Sequence, residues 1–304
     1  MLGTRTNVAK YKTPQYSYAW WEKWICIGIV VLFLCIFLFL PCVLVFTQAF
    51  SEGVHGFLRV VSDPDTLSAL RLSLLITVCV VPLHLIFGVT AAWCITKHHF
   101  IGKQILVSLI DLPFCVSPVV AGVVFVLIFG REGWAWPLID PGIQLSLPWA
   151  GEVNIRIPHI IFNWPGMILA TAFVTLPFIV RELMPVMQMQ GREDELAAFS
   201  LGAGGGQVFW KVTLPNIRWA MVYGCLLCFA RSMGEFGAVS VVSGHIRGQT
   251  ITLPLRIEIL NNEYSQTGAF ACACILAGSG LITLLLKTFL EWRFSKFLSK
   301  GQRF

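Results

Sequence analysis

From Trp24 to Thr47 the chain runs 24 residues without one charged side chain. About 20 apolar residues at ~1.5 Å rise cross the hydrocarbon core of a bilayer as a helix. Five more blocks of comparable length follow, near Leu70–Thr96, Gln104–Phe129, Ile160–Val180, Trp219–Val242 and Gly268–Leu290. None has a continuous polar face, as a helix surrounded by lipid requires. With 56% hydrophobic and 12% charged residues, the chain has too little charge to coat a soluble domain of 304 residues. The expected fold is therefore all-α, an integral membrane protein of about six transmembrane helices.

Charge sets the expected orientation. With residues 1–23 inside, 15 Lys and Arg fall on the cytoplasmic side and six on the other (Arg59, Arg71, Arg131, Arg156, Arg247 and Arg256), while Arg231 lies inside a span. The positive-inside rule then puts both termini in the cytoplasm. The basic residues orient the chain and do not mark a nucleic-acid surface. Trp20, Trp21, Trp24 and Trp292 suit the membrane interface, so lipid is one expected partner. The layout reads as a cytoplasmic segment 1–23, a membrane domain 24–290 and a cytoplasmic tail 291–304. The first apolar block lacks a small-residue cleavage site and reads as a retained helix.

The ten cysteines all fall within or at the ends of spans, which excludes a secreted disulfide framework. Cys225 and Cys228 form a CxxC, but with no second ligand pair at metal-site spacing they read as packing. His84, in mid-span, reads as a helix-packing hydrogen-bond donor, with a proton relay as the lesser alternative. No GxxxxGK[ST] run is present: Gly204–Gly206 are followed by Gln207 and Val208, so the chain cannot cradle nucleotide phosphates in a P-loop. Any use of ATP has to come from another polypeptide.

One inter-span segment, 190–216, is built differently from the rest. Glu193, Asp194 and Glu195 suit a helix N-terminus, and Leu196–Ala198 are strong helix formers. Gly202 ends the turn, Gly204–Gly206 permit a reversal, and Gln207–Val212 predict a second short helix stopped at Pro215. The expected object is a compact helix–turn–helix with a tip of small residues, shaped to enter a groove on a soluble partner.

This segment resembles the EAA loop of the permease subunits of ABC importers, whose pattern is EAA, three residues, Gly, then Leu-Pro. Ala197 and Ala198 match the alanines, Gly202 the glycine, and Leu214-Pro215 the closing pair. Leu196 stands where the family usually has Glu, and the carboxylate falls one residue earlier, at Glu195. The runs Asp111–Gly122, Ala230–Gly248, Thr252–Leu255 and Leu290–Arg293 are similar to the sulfate and molybdate group, the second to sulfate permeases in particular. The resemblance implies a type I ABC importer permease in a bacterial inner membrane, with no cofactor of its own. Its implied partners are a second sulfate permease subunit, an ATPase dimer that uses ATP and Mg, and an external sulfate-binding protein. Glu195, Ala197, Ala198, Gly202 and Ala203 would couple to the ATPase, and the chain would import sulfate or thiosulfate without catalysing a reaction.

Arg231 and Glu235 sit in the fifth predicted span, four residues apart and hence on one helix face. Charges at bilayer depth cost roughly 2.5–3.5 kcal/mol on insertion scales, so they normally face a partner or a wet path. Arg231, Ser232, Gly234 and Glu235 are accordingly candidates for the translocation pathway, with an ion pair that only locks packing as the alternative. Gly234, Gly237 and Ala238 would permit close helix approach. A molybdate or other oxyanion permease would share this architecture. A gradient-driven anion transporter is a remoter alternative, and would need paired broken helices and several buried carboxylates.

Overall fold

A computed structural model describes residues 20–135, 143–147, 151–155 and 160–301. The chain divides into two compact units, Met1–Thr47 and Gln48–Phe304. The described part of the first unit is one apolar rod: α1 (Trp20–Leu34), a π turn (Cys35–Phe39) and the start of α2 (Leu40–Ala49). Its side chains from Ile25 to Leu44 are mostly exposed, as a lipid-facing helix requires.

The second unit is a helical bundle. The short α3 (Gly53–Val61) leads into α4 (Pro64–Lys97), a 34-residue helix whose first turn is capped by Asp63. Then come α5 (Lys103–Cys115), α6 (Pro118–Phe129), α7 (Trp164–Gln190) and α8 (Glu193–Ser200). The one-turn α9 (Gly205–Val208) and a π turn (Phe209–Thr213) open directly into α10 (Leu214–Met233). Last come α11 (Gly237–Val242), α12 (Leu253–Asn262) and α13 (Gln266–Gly301).

The core is a three-helix knot of α4, α7 and α10. Its centre is Ile179 of α7, fully buried. A Cβ on Gly88 of α4 would stand 2.7 Å from Ile179 Cγ2, and one on Gly224 of α10 would stand 3.3 Å from its Cα. Small residues thus bring the backbones close enough for dispersion to hold helices together where no hydrophobic drive separates side chains from lipid. His84 Nε2 lies 3.0 Å from Thr175 Oγ1 across the α4–α7 contact. The Thr175 hydroxyl proton is committed to the Thr171 carbonyl at 2.7 Å, so the imidazole N–H must be the donor. His84 is a packing residue, as expected.

Among the described residues, five helices are long and apolar enough to cross a membrane, or six if α5 and α6 count as one. That meets the expectation of about six, with several corrections. The third predicted span is broken at Val116–Ser117, and its halves meet at 105°. Pro118 at the first turn of α6 disfavours the helical region for Ser117, which sits at ψ 133°. The fifth predicted span is also broken, at Gly234–Phe236 between α10 and α11. The fourth starts later and runs on to Gln190, so Arg181 and Glu182 are helical and not in a loop. The last candidate span ends at Leu290, and α13 continues as helix to Gly301.

Pro215 does not stop the helix begun at Gly205 either. The π turn before it lets the Leu214 N–H reach the Phe209 carbonyl, five residues back. The wider turn makes room for the proline ring, and the missing N–H falls at the first turn of α10, where it is tolerated. Between α6 and α7 an antiparallel hairpin pairs β1 (Ile143–Leu147) with β2 (Gly151–Ile155), Ile143 opposite Ile155. Both stretches alternate apolar and polar residues, a period-two signal inside a loop otherwise marked by prolines. Pro137, Pro141, Pro148 and Pro158 of that loop lie outside the described residues.

Candidate functional site

The loop after α7 is a closed structure. Glu193, Asp194 and Glu195 occupy the first turn of α8, where the helix dipole favours carboxylates. At its other end the Gly202 N–H meets the Phe199 carbonyl at 2.9 Å and the Ala203 N–H meets the Ala198 carbonyl at 3.1 Å. This bond pair is the Schellman closure, and it needs a residue at positive φ, supplied by Gly202 at 86°. Ala198 and Ala203 thus contribute backbone, and the half-buried Ala198 side chain adds little bulk. Gly204 then begins the return, its N–H held by Gln207 Oε1 at 3.2 Å.

Two faces of the loop differ sharply. Outward lie Leu196, Phe199, Leu201 and Trp210, between 50% and 89% exposed. Four large apolar side chains together on a polar connector mark an interaction surface. Inward, Glu195 is nearly enclosed: its Oε1 lies 3.1 Å from Lys97 Nζ and accepts the Thr213 hydroxyl at 2.8 Å. Lys97 also donates to the Gly191 carbonyl, and Arg192 to the Lys97 carbonyl. Asn216 donates to Asp194 at 3.1 Å, and its carbonyl accepts from Gln190 at 2.9 Å. A cavity of about 320 Å³ opens between the two faces, lined by Trp93, Lys97, Glu195, Leu196, Phe199 and Phe209 among others.

Lys97, Thr213 and Asn216 escape the sequence reading. By sequence Lys97 reads as an orientation charge in a short inter-span loop, whereas it is the last residue of α4, and nothing in spacing ties position 97 to 195.

The second candidate place is the seam where the broken helices meet. The Arg231 guanidinium lies 2.8 Å from Glu235 Oε2, although Glu235 stands beyond the end of α10. The Arg231 side chain is 35% exposed and that of Glu235 2%. Glu235 Oε1 accepts the Ala238 N–H at 3.1 Å, so the same carboxylate caps α11. Ser232 is buried and near Cys228, at 3.9 Å. A Cβ on Gly122 of α6 would sit 2.8 Å from the Ala238 carbonyl oxygen, and one on Gly237 would sit 3.0 Å from Pro118 Cβ. Gly237 and Ala238 therefore do permit close approach. Gly234 does not serve this end, since its Cβ would meet nothing nearer than 3.7 Å.

A third charged cluster was not foreseen. Arg256, expected in an open loop, lies in α12 and is 7% exposed. It pairs with Asp63 at 3.0 Å and Asp65 at 3.6 Å, at the opposite end of α4 from Lys97. Asp111 pairs with Arg181 at 2.9 Å, the Arg lying over the Phe114 ring. Broken helices, one mark of a gradient-driven transporter, are thus present. Several buried carboxylates, the other mark, are not: among the described residues only Glu235 is one.

The profile of the family described as binding-protein-dependent transport system inner membrane component matches residues 84–296. The chain is 47% identical over 283 residues to the sulfate transport system permease protein CysW of Escherichia coli K12, covering 93% of this chain and 92% of that one. It is 32% identical over 270 residues to CysT of the same organism, covering 89% and 92%. The fold matches a chain in the crystal structure of a bacterial alginate ABC transporter bound to its periplasmic protein, with TM-score 0.70 at 15% identity, over 89% of this chain and 92% of that one. The chain belongs to the binding-protein-dependent transport system inner membrane components, the multi-pass permease subunits of ABC importers.

Proposed function

We propose that this chain forms half of the pore of an ATP-driven importer for sulfate. The observation that carries the coupling role is the loop itself: a Schellman-closed helix with an apolar outer face, tied on its inner side to the ends of α4, α7 and α10. Such an element suits a groove on an ATPase, and Ala197, Ala198, Gly202 and Ala203 set its compact shape. The chain itself catalyses no reaction and holds no nucleotide; ATP and Mg²⁺ belong to the ATPase dimer. Similarity to both CysW and CysT supports a pore built from this chain and a related second permease. The substrate class follows the sulfate permeases it resembles, with an external binding protein delivering the anion.

In this reading the loop and both termini face the cytoplasm, with 1–23 preceding the membrane domain and residues beyond 290 extending from it. Arg231 and Glu235 border the anion path. Arg231 attracts the anion, and Glu235, by holding the guanidinium, keeps the site weak enough for release.

The test is labelled sulfate uptake in cells lacking the gene, restored with the wild-type chain or with Gly202→Asp, with unlabelled molybdate as competitor. Rescue by the wild type alone, insensitive to molybdate, is expected. Uptake unaffected by loss of the chain refutes the sulfate assignment, and molybdate competition redirects it to another oxyanion.

A further inference from the structure

The carboxylate of Glu195 stands one residue before the position where the family pattern has Glu, and that register decides which way it faces. Leu196 takes the outward position and is 59% exposed. Glu195 turns toward the bundle, its side chain 15% exposed against Lys97 at 9%. We infer that Glu195, Lys97 and Thr213 form an internal clasp that carries motion of the coupling helix into the membrane helices, in place of a contact between this carboxylate and the ATPase. The inference rests on the coupling role proposed above and assigns three positioning residues to it.

Geometry supports this in three ways. One oxygen, Oε1 of Glu195, receives both the ammonium of the last residue of α4 and the hydroxyl of the residue just before α10. The neighbouring bonds Asp194–Asn216, Gln190–Asn216 and Arg192–Lys97 close the same three-helix junction, so α8 cannot shift without moving α4, α7 and α10. The pair is also largely out of water, where ionic contacts are stiff and poorly screened by salt. Without the clasp, α8 remains joined covalently but can tilt on Gly191 and Gly202, both at positive φ.

The experiment uses the whole complex in proteoliposomes with its ATPase and binding protein. It compares Lys97→Met, Glu195→Gln, Thr213→Val and the exchange Lys97→Glu with Glu195→Lys. Three quantities are read: ATPase retained on purification, ATP hydrolysed, and sulfate imported. Each single variant is expected to keep the ATPase bound while sulfate imported per ATP falls by about tenfold, a size usual for coupling between two sites. The exchange should recover part of the loss. Unchanged stoichiometry in Lys97→Met and Glu195→Gln overturns the inference. So does loss of the ATPase from either variant, because the clasp would then only shape the docking surface. If Gly202→Asp in the same preparation also imports sulfate normally, the coupling role itself falls.

Discussion

Neutralising the two charges at the seam should have unequal consequences. Glu235 is enclosed, its side chain 2% exposed, whereas that of Arg231 is 35% exposed and, on the anion path proposed above, meets water. Arg231→Gln strands a buried carboxylate, and breaking a buried pair by removing one partner costs about 3–5 kcal/mol. Glu235→Gln leaves an amide oxygen that can still accept the Ala238 N–H, and it frees a guanidinium that lies on the proposed wet path. That loss should be nearer the ~0–1 kcal/mol of an exposed pair. With both substitutions no charge is stranded, so the double variant should resemble Glu235→Gln and exceed Arg231→Gln in stability by about 2–4 kcal/mol. Unfolding purified variants by titrating sodium dodecyl sulfate into mixed micelles, followed by circular dichroism, measures all three. A double variant less stable than Arg231→Gln, or single variants of equal stability, would refute the argument from burial. Sulfate uptake by the double variant then separates packing from conduction: a stable protein that no longer transports places these charges in the path.

Gly122→Leu should disrupt the α6–α11 seam, because its Cβ would meet the Ala238 carbonyl oxygen at 2.8 Å and Val241 Cβ at 2.9 Å. Backbone cannot rotate aside as a side chain does, so a loss of at least the ~1–3 kcal/mol typical of overpacking is expected, read as a lower unfolding midpoint. Thr175→Val removes the acceptor for the His84 N–H and should cost about 0.6–2 kcal/mol. The additional change His84→Leu should restore part of that stability, and no recovery in the same titration would mean that the bond adds little.

The membrane spans were legible because their signal is local: twenty apolar residues in a row have few other uses. Helix α8 was legible for the same reason, its acidic start and its Gly202 finish lying within ten residues. The breaks were harder. Ser117-Pro118 and the Gly234–Gly237 stretch carried the proper chemistry, but apolar sequence on both sides masked them as continuous spans. Pro215 misled in the opposite sense, since a π turn upstream absorbs it. What no local reading could reach is pairing at a distance: Lys97 with Glu195, Arg256 with Asp63, Gly122 against Ala238. Those contacts depend on which helices are neighbours, and close approaches such as Gly88 and Gly224 on Ile179 or Gly122 on Ala238 are set by packing between distant segments.

The π turn at Phe209–Thr213 has a mechanical consequence. By carrying the helix past Pro215, it makes Gly205–Met233 a single hydrogen-bonded rod of 29 residues, about 43 Å long. One end lies in the loop after α7 and the other at the break before Glu235. A lever of that length pivoted at its loop end and tilted by about 5° sweeps its far tip through about 4 Å. That tip leads through Gly234 into α11, whose Ala238 packs on Gly122 of α6, so rocking of the loop is relayed toward the seam.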